Sequence, residues 1–173
     1  MQPGGEMHLE KIDSIILFGG GELCTQFTEY LLDQKYALTV FTAERHAKEI
    51  VACKNTSLEN FLKKNNVKYY ITEDINTDLN LKKHVTKTTL GIYLGPAWDL
   101  NEEWISKFDG RLLEFMGIPL PQYRGGAHYS HQILKKNRAW ACYLQQVTKN
   151  KHKGPVLLEK HYTMPLEART PQD

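Results

Sequence analysis

A short apolar run, Ile15-Ile16-Leu17-Phe18, closes on three successive glycines, Gly19-Gly20-Gly21, and a stretch with Leu23, Phe27, Tyr30 and Leu31 at helical spacing follows. The run reads as a strand, glycine tolerates the tight turn at its end, and apolar positions three and four apart mark one face of a helix. No other feature constrains the chain as strongly. A strand that hands over to a helix rejoins its sheet through a crossover, and crossovers build parallel sheets. The alternation continues. Residues 37–42 read as a second strand, 44–52 as a short helix, and 56–65 as a helix opened by a capping box, Thr56-Ser57-Leu58-Glu59. Strands follow at 68–72 and 89–94, then a helix at 101–108 whose asparagine and acidic residues suit its positive end. Residues 111–115 form the next strand, leading into an irregular loop, 116–126, that holds Pro119 and Pro121. A helix at 127–136 and strands at 140–147 and 155–162, joined by a basic loop, complete the pattern. The expectation is one α/β domain, doubly wound and Rossmann-like, with a mostly parallel sheet covered on both faces and later strands free to run antiparallel. The domain is expected over 13–165, with flexible termini at 1–12 and 166–173.

At 173 residues, 41% hydrophobic and 24% charged, the chain has the composition of one globular domain, which excludes disorder and a disulfide scaffold. The run 15–18 is far shorter than the roughly 20 residues of a membrane span. The polar start Met1-Gln2-Pro3-Gly4-Gly5-Glu6 lacks a signal peptide's layout, so a cytoplasmic protein with no membrane partner is expected. Cys24, Cys53 and Cys142 are odd in number and far apart, which leaves no redox pair or zinc knuckle and suggests buried thiols. A net charge of +2 is too small to argue for nucleic acid. Between residues 134 and 161, Lys135, Lys136, Arg138, Lys149, Lys151, Lys153 and Lys160 stand against Glu159 alone. A solvated basic face is the simpler account; a basic nucleic-acid-binding module is the alternative.

Several local patterns carry little chemistry. The Gly19-Gly20-Gly21-Glu22-Leu23-Cys24 turn matches half of a dinucleotide fingerprint, with Cys24 where the third glycine would be, and Glu44 stands where a ribose-binding carboxylate could sit. His128 and His131 are three apart with no third ligand at suitable spacing, so no metal is expected. Glu102 and Glu103 are neighbours that diverge by about 100° on a helix and cannot share one reacting bond.

The segment Gly117-Ile118-Pro119-Leu120-Pro121-Gln122-Tyr123-Arg124-Gly125-Gly126-Ala127-His128-Tyr129 leaves a strand's carboxyl end and enters a helix, where open α/β sheets place ligands. Leu120 to Ala127 resembles the Leu-Pro-x-Tyr-Arg-Gly-Ala segment of the folate-dependent formyltransferases, which act on methionyl-tRNA, glycinamide ribonucleotide or sugars. The resemblance extends to Ile15-Ile16-Leu17-Phe18-Gly19, Gly91-Ile92-Tyr93-Leu94-Gly95 and Lys153-Gly154-Pro155-Val156-Leu157, covering residues 13–165. It implies that Leu94, Gly95, Pro96, Ala97 and Trp98, with the loop 149–154, form the side that binds 10-formyltetrahydrofolate. It implies too that Tyr123, Arg124, Gly125 and Gly126, up to His128, face the amine substrate.

The family's transfer resembles a reaction on three side chains: an Asn and a His two residues apart, and an Asp before a later glycine. Donors from the amide and imidazole hold the oxyanion formed when the amine attacks, and the carboxylate orients the imidazole. Counting from Leu120-Pro121 and from Gly154, those positions are Glu114, Met116 and His152. All three differ from the family pattern. The first reading is a catalytically degenerate domain acting in ligand binding or assembly, with no cofactor turned over. The second is a rewired N-formyltransferase that uses 10-formyltetrahydrofolate, with Glu114 as base and His128, His152 or Arg124 as oxyanion partners. Its substrate would be a nucleotide-linked amino sugar, suggested by the charge of Arg124 and the nearby lysines. A homo-oligomer, or membership of a longer chain, is compatible with either.

Overall fold

The computed structural model describes residues 11–34, 36–117, 128–167 and 169, with backbone alone at His128 and Tyr129. The chain runs β1 (Ser14–Gly19), α1 (Gly21–Asp33), β2 (Ala37–Thr42), α2 (Glu44–Lys48), β3 (Ile50–Val51), β4 (Thr56–Ser57), α3 (Leu58–Lys64) and β5 (Lys68–Ile71). It continues through α4 (Leu79–His84), β6 (Thr89–Leu94), α5 (Glu102–Phe108), β7 (Leu112–Met116), α6 (His128–Leu134), β8 (Ala139–Gln146) and β9 (Val156–Thr163). Seven strands form one sheet in the order β5-β2-β1-β6-β7-β8-β9, parallel from β5 to β7 and antiparallel across β8 and β9.

The period of two along each strand sorts side chains to opposite faces. Ile15, Leu17, Val40, Ile92 and Leu94 pack beneath α1 and α3, against Cys24, Leu31, Leu58 and Leu62. Ile16, Phe18, Phe41 and Tyr93 pack on the other face against Leu81 of α4 and Trp104 and Phe108 of α5. Leu17 pairs with Val40, and both are fully buried. Phe18 centres an aromatic cluster, edge-on to Tyr93 with ring centroids 5.3 Å apart and to Phe108 at 6.0 Å. The glycine turn lies between β1 and α1, and its first residue is held by space: a Cβ on Gly19 would lie 2.4 Å from the Leu94 carbonyl oxygen.

Several local expectations are corrected. The helix at 44–52 stops at Lys48, because Ile50–Val51 pairs antiparallel with Thr56–Ser57. That pairing takes Thr56 into a strand, so Ser57 caps α3, accepting from Asn60 N at 3.3 Å, while Glu59 binds Lys63 and the Tyr69 hydroxyl. On α1, Leu23 and Tyr30 are exposed, and the buried face carries Cys24, Thr25, Thr28 and Leu31. Threonines can go inward there because their hydroxyls donate to the helix's own carbonyls, Gly21 at 2.9 Å and Cys24 at 2.7 Å. Of the three cysteines only Cys24 is buried; Cys53 is exposed and Cys142 half-buried. Burial pushes the Cys24 thiol up to about 12. No helix among the described residues is long and apolar enough to cross a membrane.

Candidate functional site

β6 and β7 lie side by side with Tyr93 opposite Glu114, and β8 places Gln145 opposite Glu114 from the other side. The connection from β8 to β9 folds back over the same sheet face and brings His152 to this point. His152 Nδ1 lies 3.0 Å from Glu114 Oε2, and Gln145 Nε2 donates to that oxygen, also at 3.0 Å. The His152 and Glu114 side chains keep only 20% and 16% of their exposure, so water screens this pair far less than a surface pair. His152 adopts φ +55°, a left-handed conformation that turns the loop inward. Gly154 lets the return strand close, since a Cβ there would lie 1.7 Å from the Gln146 carbonyl oxygen.

A pocket of 220 Å³ opens beside the pair, lined by Tyr93, Asp99, Leu100, Glu114, Lys151 and His152 among others. Tyr93 is nearly buried, and its hydroxyl accepts from Leu100 N at 2.9 Å. Burial pushes this phenol well above its usual range, with the carboxylates of Asp99 and Glu114 adding to the effect, so the hydroxyl keeps its proton and remains a donor. Lys151 is anchored on Asp99 at 2.7 Å and Lys149 faces Glu102 at 3.8 Å. Part of the basic character read from the loop is therefore balanced by acidic groups at the start of α5.

The structure brings together only some of the residues singled out by sequence. Glu114 and His152 touch. Met116 packs with Trp140, Met164 and Ile133, in a small apolar cluster of its own. Leu94 is buried on the opposite face of the sheet, Gly95 turns the chain with φ +68°, and Trp98 packs on the cluster around Trp104. Pro96 is half-buried and Ala97 exposed. Tyr123, Arg124, Gly125 and Gly126 lie outside the described residues, as does the His128 side chain; Trp140 Nε1 donates to the Gly117 carbonyl at 2.8 Å, just before that segment. Tyr93 and Gln145 were not found from sequence. Gln145 carried a signal, being a polar residue that alternation assigns to a covered position of β8, and it is 1% exposed. No cluster of three or more metal-binding side chains occurs among the described residues. Glu44, considered for a ribose, binds Lys48 of its own helix at 2.5 Å.

Sequence comparison finds no matching family model and no matching curated relative. Structural comparison is informative. A phosphoribosylglycinamide formyltransferase from Anaplasma phagocytophilum aligns with TM-score 0.68 at 12% identity, over 92% of this chain and 76% of its own. The corresponding enzyme from Bacillus halodurans aligns with TM-score 0.69 at 11% identity, over 90% and 82%. The chain has the fold of the folate-dependent formyltransferases. An N-formyltransferase from Helicobacter canadensis, solved with folinic acid and dTDP-3-aminofucose, aligns with TM-score 0.67 at 16% identity. That match covers 88% of this chain and 53% of the other, so the chain spans about half the length of that N-formyltransferase. On this formyltransferase fold, the loop and strand positions expected to hold Asp and Asn carry a direct His–Glu contact, and the position between them in sequence, Met116, is apolar.

Proposed function

We propose that the cleft beside β6 and β7 binds a folate-type one-carbon carrier, and that the chain does not formylate amines by the route the resemblance implies. The observation that carries this is the state of the three key positions. Glu114 is a carboxylate engaged by His152 and Gln145, and Met116 is packed against Trp140 and Met164. Neither offers the donor that an oxyanion needs when an amine attacks a formyl carbon. Each lost donor costs roughly 3 kcal/mol, so two missing donors correspond to a rate loss on the order of 10⁴. Folinic acid in a structural neighbour supports the choice of ligand. Ligand binding, or assembly built on it, is then the role of the domain.

A second reading, a rewired N-formyltransferase for a nucleotide-linked amino sugar, is favoured by the His152–Glu114 contact and by dTDP-3-aminofucose in that neighbour. The test is calorimetric titration with 5-formyltetrahydrofolate and with nucleotide amino sugars, alongside assays of formyl transfer to those sugars and to methionyl-tRNA. Saturable folate binding with no transfer is the expected result. Transfer by the unaltered protein, lost in His152→Gln, establishes the second reading instead. Absence of folate binding removes the proposal. The variant Glu114→Asn with Met116→His and His152→Asp rebuilds the family's side chains and is expected to gain transfer.

A further inference from the structure

The turn from α6 into β8 carries Lys135-Lys136-Asn137-Arg138, and its shape is fixed from within. Asn137 Nδ2 donates to Gln132 Oε1 at 2.6 Å and Asn137 Oδ1 accepts from Ala139 N at 3.2 Å, so both ends of the amide are engaged. Lys136, before it, takes a left-handed φ of +54°. Arg138, after it, is steadied by its Nε, which donates to the Met164 carbonyl at 2.8 Å. This turn and the segment that follows β9 line a cavity of 560 Å³, a volume typical of small-molecule sites. Among the described residues it shares no lining side chain with the cleft beside β6 and β7.

The apolar part of this cavity is aliphatic, supplied by Ile133, Leu134, Met164 and Leu166. Leu134 and Leu166 stay 79% and 73% exposed, while Met164 joins the cavity to the buried cluster around Trp140. Among the described lining residues there is no aromatic ring on which a base could stack and no carboxylate to attract a cation. The charge is of one sign, from Lys136, Arg138 and Arg169. Lys136 and Arg138 have no carboxylate partner among the described residues, in contrast to Lys149 and Lys151. An anion that reaches them forms charge-assisted hydrogen bonds without displacing an ion pair. We infer that this cavity binds an aliphatic carboxylate of the fatty-acid kind, its chain on the leucine and methionine side chains and its headgroup met by Lys136 and Arg138. The fixed turn lowers the ordering cost of that contact.

The experiment is calorimetric titration of the full chain with hexanoate, octanoate and decanoate as monomers, with the methionine methyl groups followed by NMR to locate the site. Saturable binding is expected, with a shift of the Met164 methyl signal, which is identified by its loss in Met164→Leu. Burying each further methylene tightens binding roughly threefold to fourfold, so a two-carbon step is expected to gain about tenfold. Affinity is expected to fall as salt rises. Lys136→Gly suits the left-handed backbone, removes one cation and is expected to weaken decanoate binding by at least about fivefold. Leu134→Glu, at an exposed position, sets a carboxylate against the ligand's own and is expected to cost at least about tenfold with the urea midpoint unchanged. Absence of saturable decanoate binding, an unshifted Met164 methyl, or equal affinity for decyltrimethylammonium overturns the inference. Affinity unchanged in Leu134→Glu overturns it as well. Binding to phosphatidylcholine–phosphatidylserine vesicles without binding of monomeric decanoate assigns the surface to a bilayer instead, and a dimer that Leu134→Glu dissociates, read by light scattering, assigns it to a second copy; either result overturns the inference.

Discussion

His46 and His84 are partly buried, and burial lowers both from the ordinary value of 6.5, helped by Arg45 beside His46 and Lys68 beside His84. Glu49 opposes the shift at His46, and the Lys83 backbone opposes it at His84. Both rings are held neutral in the fold. As pH falls through 6.5 the unfolded chain takes up these protons first, so stability drops across that window and the loss is complete below the lowered folded values. The carboxylates of Glu59 and Glu103 are lowered by Lys63 and Lys107 and add a loss of the same sign further down, below their ordinary 4.5. Urea unfolding followed from about pH 7.5 to about pH 5 is expected to show a falling midpoint, and the variant His46→Gln with His84→Gln to flatten it. An unaltered slope in that variant would assign the dependence elsewhere.

Asn76 couples two elements. Its Nδ2 donates to the Asp99 carbonyl at 3.1 Å, its Oδ1 accepts from Asn101 N at 2.8 Å, and its own carbonyl accepts from Trp104 Nε1 at 3.1 Å. Asn101 caps α5 by accepting from Trp104 N. The connection after β5 thus fixes the start of α5, and with it Asp99, which holds Lys151 on the pocket rim. Asn76→Ala removes the two interelement side-chain bonds and is expected to destabilise the fold by about 1–2 kcal/mol, measured by urea unfolding. Loss of the anchor under Lys151 is expected to weaken 5-formyltetrahydrofolate binding as well. Affinity unchanged alongside the stability loss would show that the anchor does not matter to the ligand.

Across the whole molecule, protection is graded along the sheet. β1 has β2 and β6 on either side and packed layers on both faces, whereas β9 is an edge strand exposed along nearly its whole length. Val156, Leu158 and Tyr162 there are 42%, 67% and 39% exposed, which leaves little apolar burial to hold the strand. Amide exchange is expected to be slowest in β1, β2 and β6 and fastest, among the strands of this sheet, in β9. Protection of β9 equal to that of β1 would mean that a second chain covers the edge in solution, detectable as a dimer by light scattering.

The short apolar strands, the glycine turn and the helical spacing between them were enough to read a doubly wound α/β fold, because periods of two and of about four residues are local and each must bury its apolar side. That Glu114, Met116 and His152 differ from the pattern of the family the sequence resembles was equally legible, since identity at a position requires no geometry. Helix ends and faces were less so. Thr56 was drawn into a two-residue strand and the inward face of α1 was chosen by threonines that satisfy themselves, and both outcomes depend on neighbours remote in sequence. The site is the furthest from local. Glu114 and His152 are 38 residues apart, and Gln145 and Tyr93 join them only through strand register. The sequence by itself determined which side chains stand at the three positions counted from the resemblance; only the tertiary structure decided that two of them meet and that the third turns into an apolar cluster. Chain folding, through the antiparallel return of β8 and the loop that His152 and Gly154 bend inward, sets those distances.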